Sequence, residues 1–145
     1  MSKRPPDDGL PYRELAHTAD VGVEIIAPTR AELFRRAALA LADLLVEVSA
    51  VATNESRTVQ INADDDVTLM HDFLSELLQL FSAEGFIWRE VQVSESDHAL
   101  GAIIRGEPFR LNHHELRREI KGVTYHQLSV ERVNHEWRSL IIFDV

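Results

Sequence analysis

Two aspartates stand at the ends of predicted strands, one near each end of the chain. Asp144 lies within the apolar run 142–145, and the α-carboxylate of Val145 would follow it by one residue. Asp20 directly precedes residues 21–27, whose alternating pattern is typical of a β-strand. If these strand ends meet, the carboxylates of Asp20, Asp144 and Val145 converge. Carboxylate oxygens are hard donors that bind hard cations, so we expect a cation where they meet.

Each aspartate also has a simpler interpretation. Asp is common at strand entries, where its side chain forms an Asx turn, and spacing alone prefers this role for Asp20. Asp144 can be an exposed strand end, although an acid in an apolar run otherwise needs a partner or a bound group. The residues alone leave the choice between cap and ligand open.

The segment from Lys121 to His126 is the densest polar cluster in an apolar setting. In a strand, alternation would place Thr124 and His126 on one face and Lys121 with Tyr125 on the other. Thr124 and His126 could then point together into a cleft. They could equally form a packed pair that bonds to each other or to the backbone, which is the more common role of a lone histidine.

The seven histidines raise the question of zinc. His113 and His114, joined by His126 or His17, could supply three nitrogen ligands. Adjacent histidines on an extended segment point apart, however, and the sequence contains no pair of histidines at the spacing of a helical zinc motif. Zinc is therefore a secondary hypothesis. Glycine-rich nucleotide loops and the nucleophile elbow of hydrolases are also absent from the sequence.

The composition excludes several classes of protein. The chain has 145 residues, 45% of them hydrophobic and 27% charged, which fits one globular domain. It has no cysteine, so disulfides, thiolate zinc sites and cysteine nucleophiles are excluded, and a reducing cytoplasm is the expected location. The net charge of −9 disfavours broad binding to a phosphate backbone, and it suits solubility or a basic protein partner.

The first residues of the sequence do not have the pattern expected of a signal peptide. No apolar run approaches the roughly 20 residues that a membrane helix needs, and residues 1–9 lack the apolar centre of a signal peptide. We expect residues 1–11 to be a flexible lead and residues 12–145 to form a single domain.

Two helices are predicted from caps and from helical periodicity. Thr29 and Glu32 form a capping box before an apolar face that extends to about residue 48. A second helix, at about 67–84, follows the acidic run 64–66 and ends before Gly85.

The remaining pattern is mostly strand. Predicted strands cover residues 59–63, a hairpin at 87–94 and 99–105, and segments 121–125, 127–133 and 136–144. Predicted loops and turns cover residues 54–56, 106–108 and 111–119. This order is not a regular βαβ alternation, so we predict an α+β fold with a largely antiparallel sheet and two main helices.

Together these features resemble the archease family. Four segments carry the similarity: His17-Thr18-Ala19-Asp20-Val21-Gly22, Glu32-Leu33-Phe34 at a helix start, Glu119-Ile120-Lys121-Gly122-Val123-Thr124-Tyr125-His126, and the terminal Ile142-Phe143-Asp144-Val145. Their order and spacing match from about Tyr12 to Val145. The resemblance implies an α+β fold with a strand–helix–strand–strand module and an inserted, related unit.

The resemblance also implies a function. Archeases are activators, or chaperones, of the RNA ligase that joins tRNA exons in splicing. That ligase seals a 3′-phosphate or 2′,3′-cyclic phosphate end to a 5′-hydroxyl, uses GTP and manganese, and passes through a guanylylated histidine. An archease promotes guanylylation, restores multiple turnover and can broaden the nucleotide that the ligase accepts. The chain would then be a cytoplasmic accessory protein and not itself an enzyme.

Carried over residue by residue, the resemblance makes Asp20, Asp144 and Val145 the ligands of a divalent cation. The family binds calcium, and magnesium or manganese also suit hard oxygen ligands. Four polar residues are expected to support these ligands or to face the partner: His17, Lys121, Thr124 and His126.

Two other functions stay open from the sequence. A small metal-dependent phosphoester hydrolase would use Asp20 and Asp144 as ligands, with His126 or His17 as general base. No nucleophile-and-base spacing supports it. An RNA-binding module is the third reading, and the charge of −9 weighs against it.

Overall fold

The computed structural model describes residues 12–15 and 20–145. The predicted flexible lead, residues 1–11, lies outside the described residues. The elements are β1 (Arg13–Leu15), β2 (Asp20–Ala27), α1 (Arg30–Leu45), β3 (Glu55–Asn62), α2 (Asp66–Ser82), β4 (Phe86–Ser96), β5 (Ala99–Pro108), β6 (Gly122–Val123), β7 (Ser129–Val133) and β8 (Glu136–Asp144).

The strands form two antiparallel sheets. In the five-stranded sheet the order is β1-β2-β8, and both β6 and β7 pair with the other edge of β8. The three-stranded sheet has the order β3-β5-β4. With two α-helices beside these sheets, the predicted α+β class is confirmed.

Helix α1 lies between the two sheets, since it packs against β2 and β8 of one and β4 of the other. The main-chain N–H of Glu32 donates to Thr29 Oγ1 over 3.1 Å, which confirms the predicted N-cap. Small residues such as Ala38 and Ala40 are fully buried, and this allows close approach on both sides. The helix ends at Leu45 and not near residue 48, because the chain turns extended at Val46, which bridges to Leu116.

Helix α2 begins and ends where local chemistry predicts. Asp65 caps it, accepting from the N–H of Thr68 over 2.8 Å, and this bond lowers the pKa of the Asp65 carboxyl. At the other end Gly85 adopts φ 67°, a conformation that favours glycine, and its N–H donates to the Phe81 carbonyl. The predicted apolar face is buried, and Phe73 meets Phe34 of α1 edge to face at 6.1 Å.

Several predicted boundaries are wrong. Residues 55 and 56 belong to β3 and not to a loop, and the strand predicted at 121–125 is only two residues long. The turn predicted at 106–108 is the end of β5. Gly106 is there for close packing: a Cβ at this position would overlap the carbonyl oxygen of Ile87 and lie 2.6 Å from the Cα of Trp88.

In the described part of the chain, neither α1 nor α2 has the length and the apolar character of a membrane-spanning helix.

Candidate cation site at the strand ends

Strand pairing brings Asp20 and Asp144 together. Strands β2 and β8 are antiparallel and in unbroken register from Asp20 opposite Asp144 to Ala27 opposite Trp137. Directly opposed residues of such a pair have Cβ atoms about 4.5–5.5 Å apart and side chains on the same face. The expected meeting of the two strand ends is therefore what the fold shows.

The hydrophobic core sets this register. Val23 opposes Ile141 and Val21 opposes Phe143, and of these four side chains Val23, Ile141 and Phe143 are buried. A slip by one residue would move this apolar set to the other face of the sheet. The alternation that buries Phe143 sends the neighbouring carboxylate of Asp144 to the opposite face, where Asp144 is exposed.

On its other side Asp144 faces strand β6. Gly122 is its partner there, and the main-chain N–H of Lys121 donates to the Asp144 carbonyl over 2.7 Å. Among the described residues, no atom beyond its two chain neighbours lies within 4 Å of where a Cβ on Gly122 would stand, so this part of the structure leaves space beside Asp144. Val145 follows, and 38% of it is exposed.

The donor chemistry of this site fits a hard cation. Two carboxylates directly opposed across a strand pair repel each other, and within residues 12–15 and 20–145 neither Asp20 nor Asp144 forms an ion pair. A divalent cation would be held by these carboxylates together with a backbone or terminal oxygen of Val145, and it would neutralise their repulsion.

The segment after β6 turns away and does not continue as a strand. The N–H of Thr124 donates to the Ile142 carbonyl over 3.1 Å, and the N–H of His126 donates to Thr124 Oγ1 over 3.1 Å. Gln127 then adopts φ 58°. The alternation argument fails from Thr124 onward, and the contact between Thr124 and His126 is a local turn bond and not a cleft pair.

Three of the four residues that were expected to support the ligands are described, and they differ in their exposure. Lys121 is exposed and is tied to Asp144 by its main chain, Thr124 is half-buried and His126 is exposed. His17 lies outside the described residues.

A histidine on α2 that the sequence reading passed over holds this segment in place. The Nε2 of His71 donates to the Val123 carbonyl over 3.1 Å, and its ring stacks on Tyr125 with centroids 3.9 Å apart. Its Nδ1 lies 3.0 Å from Asp72 Oδ1. The only signal in the sequence was that His71 is a polar residue beside the apolar face of the helix. That signal does not indicate which residue His71 contacts.

A second polar cluster joins Glu107, at the end of β5, to His113 and His114 on the segment that follows. Each of these three residues offers a ligand atom within 4.8 Å of the others. The expectation that adjacent histidines point apart is wrong here, because residues 111–114 form a turn and not an extended strand. His126 is not in this group.

The nitrogen and oxygen atoms of this cluster that could bind a metal already form hydrogen bonds. The N–H of Arg110 donates to His114 Nδ1 over 2.9 Å, so the proton of the neutral ring sits on Nε2 and is donated to Glu107 Oε2 at 2.8 Å. His113 Nε2 donates to the Ala50 carbonyl over 3.1 Å. A metal would have to displace these protons, so the cluster is better explained as a structural network than as the zinc site considered from the sequence.

Glu107 is the centre of that network. Its carboxylate is buried and accepts from the N–H of Ala52 over 2.9 Å as well as from His114. These bonds, with that from Ala52 the largest influence, hold the pKa of Glu107 below its ordinary value. The carboxylate therefore stays charged and joins the loop after α1 to the end of β5.

Comparison with known proteins decides the family. A model of the archease protein family matches residues 12–145. The chain belongs to the archease protein family. Among members, an archease of Methanosarcina acetivorans is 32% identical over 97% of this chain and 99% of its own length. An archease of Thermococcus gammatolerans is 34% identical over 92% and 98%.

Solved structures of family members share this fold. The solution structure of a Methanobacterium thermoautotrophicum protein is 28% identical and superposes with a TM-score of 0.78, covering 93% of this chain and 99% of that one. The crystal structure of a Thermotoga maritima archease, described as a possible chaperone, gives a TM-score of 0.62 at 20% identity over 100% and 99% of the two chains. That second likeness supports the fold alone.

Proposed function

We propose that this chain is a non-catalytic, cytoplasmic activator of the RNA ligase that seals tRNA exons with GTP and manganese. It promotes guanylylation of the catalytic subunit of the ligase, restores multiple turnover and broadens the nucleotide that the ligase accepts. The observation that carries the proposal is the opposition of Asp20 and Asp144 in a member of the archease family. These are the positions at which the family resemblance expects a cation.

The proposed site holds one divalent cation, calcium first and magnesium or manganese as alternatives. Asp20 and Asp144 supply side-chain oxygens, and Val145 supplies a backbone or terminal carboxylate oxygen. When bound, the cation neutralises the acidic strand ends. Lys121, whose N–H donates to the Asp144 carbonyl, is exposed at the same end of the sheet.

Charge supports a protein partner. The net charge of −9 complements a ligase surface that is basic because it holds RNA ends. The same charge opposes direct binding to RNA.

The deciding experiment is single-turnover guanylylation of the cognate ligase, with and without this protein. We expect the wild-type protein to accelerate the step and Asp20→Asn or Asp144→Asn to lose most of that acceleration. Glu136→Gln is the matched control, because it neutralises an exposed acid at the other end of the same strand. Calcium binding by each variant, measured by calorimetry, should follow the same order.

Other outcomes of this experiment would favour one of the two alternative functions, a hydrolase or an RNA-binding module. If the wild-type protein leaves guanylylation unchanged, the activator proposal is wrong. Metal-dependent cleavage of phosphoesters would then support a hydrolase, and salt-sensitive binding to tRNA would support an RNA-binding module.

A further inference from the structure

We propose that the groove between β3 and α2 binds an extended, basic peptide segment of a partner protein, which adds as a strand to the free edge of β3. The groove has a volume of about 350 Å³. Gln60, Ile61 and Asn62 of β3 line one side, and α2 lines the other. An edge strand beside a helix is the geometry in which peptides add to a sheet. This inference does not depend on the proposed ligase function.

Strand β3 offers an unprotected edge. Within the part of the chain that the structure describes, β3 pairs only with β5, in unbroken register from Glu55 opposite Gly106 to Asn62 opposite Ala99. Exposed edges are usually blunted by charged side chains, Pro or a bulge. Strand β3 has no Pro and no register shift, and its two charged residues, Glu55 and Arg57, stand near its start, so the stretch 58–62 that reaches the groove is uncharged.

The other edge of the same sheet is protected. Strand β4 has a register shift between Trp88 and Glu90. The guanidinium of Arg35 on α1 donates to the Val91 carbonyl over 3.1 Å, which occupies part of that edge. The contrast singles out the β3 edge as the one left available for pairing.

The groove is acidic on its helix side. Asp72 and Glu76, one turn apart on α2, line it together with uncharged residues, and no Lys or Arg is among the lining residues. Asp72 contacts His71, whereas Glu76 is exposed and forms no ion pair within the described residues. A strand added to β3 would direct alternate side chains toward α2. Lys or Arg at those alternate positions would therefore meet both carboxylates.

Charge also argues against two other occupants. A second copy of this chain, paired edge to edge through β3, would bring another Asp72 and Glu76 close to the first pair. A nucleic acid strand would bring its phosphates to the same carboxylates. A basic peptide is the occupant that both the open edge and the acidic helix favour.

The test uses a blocked peptide of alternating lysine and valine, as long as β3, added to the isotope-labelled full chain. Amide shifts in its NMR spectrum report the site of binding. We expect changes concentrated at Gln60, Ile61 and Asn62, and an affinity that falls with added salt. The same peptide with alternate main-chain nitrogens methylated cannot pair as a strand, and we expect it not to bind.

Protein variants test the role of the acidic side chains on α2. Glu76→Lys should weaken binding of the lysine peptide by roughly fivefold, as expected for loss of an exposed ion pair. The matched control is Glu90→Lys on β4, an exposed acid outside the groove, which should leave the affinity unchanged within error.

Each contrary result overturns the proposal in its own way. Equal binding of the methylated peptide would mean non-specific charge attraction without strand pairing. If a glutamate–valine peptide bound as tightly as the lysine–valine peptide, the carboxylates of Asp72 and Glu76 would have no role in binding. Shifts of the β3 amides that grow with protein concentration alone would make the groove an interface between copies. If the lysine–valine peptide did not bind at millimolar concentration, the proposal that the groove binds a basic strand would be wrong.

Discussion

Asp20 and Asp144 are direct cross-strand neighbours in the β2–β8 pair, although they come from opposite ends of the chain. Their carboxylates lie on one face of the sheet, beside the open space at Gly122. Like charges in this arrangement destabilise the strand pair. A bound cation or a neutral side chain at either position would relieve that repulsion. Experiments can distinguish the effect of the cation from the effect of the substitution.

Neutralising one carboxylate should stabilise the metal-free protein. We expect Asp144→Asn to raise the free energy of unfolding in EDTA by about 0.2 to 1 kcal/mol, because it removes a like-charge cross-strand pair. Calcium should then raise the melting temperature of the wild-type protein but not that of the variant. Denaturant titration and thermal melts measure both effects. A variant that is less stable in EDTA yet still stabilised by calcium would contradict the site.

Extending the chain beyond Val145 should weaken cation binding if the terminal carboxylate is a ligand. A short tag placed there converts that carboxylate into a peptide carbonyl, which removes one negative charge from the site. Calorimetry with calcium compares this protein with one that carries the same tag at the N-terminus. Equal affinities would restrict the ligand set to the two aspartates and uncharged oxygens.

The buried Glu107 network should make stability depend on pH in the acid range. Because hydrogen bonds lower the folded-state pKa of Glu107, its carboxylate stabilises the fold above its ordinary pKa, and this contribution is lost as the pH falls through the lowered value. We expect Glu107→Gln to lower the stability at neutral pH by about 1–3 kcal/mol. The loss of stability toward acid should also become less steep.

Denaturant titrations across the acid range measure this effect of Glu107. The groups that face the carboxylate are Arg110, which stays protonated, and His113 and His114, whose protonation is followed by NMR in the same samples. Glu115→Gln, an exposed acid on the same segment, is the control. If Glu107→Gln and Glu115→Gln gave the same pH profile, Glu107 would not be the group responsible.

Two glycines should differ in their response to the same substitution. Gly106→Ala places a methyl group against the main chain of Ile87 and Trp88, and we expect a loss of about 1–3 kcal/mol from this overpacking. In the described part of the chain, the methyl group of Gly122→Ala would meet no atom within 4 Å beyond its chain neighbours, and this substitution should change the stability little. Equal effects in denaturant titrations would show that strand β4 can move away from β5.

The two helices could be read from the sequence because their signals are local. Thr29, Asp65 and Gly85 act on backbone groups within one turn, and helical periodicity alone names the buried faces. The alternation in β2 and the apolar run at the end of β8 likewise predicted strands. These features depend only on neighbours a few residues away.

Long-range pairing accounts for what the sequence reading missed. Gly106 and Glu107 look like a turn in sequence, yet Gly106 is a close contact with β4 and Glu107 is held by Ala52 and His114. The role of His71 likewise depends on Val123, which a local pattern cannot identify as its partner.

The candidate cation site combines both kinds of information. Residue types and the family resemblance named Asp20, Asp144 and Val145, since acids at strand ends carry a chemical meaning of their own. The direct opposition of Asp20 and Asp144 is set by the β2–β8 register, which burial of the apolar residues on the opposite face selects. A strand's pattern says which side chains share a face, but only packing of the whole core says which strand lies next to it and in which alignment.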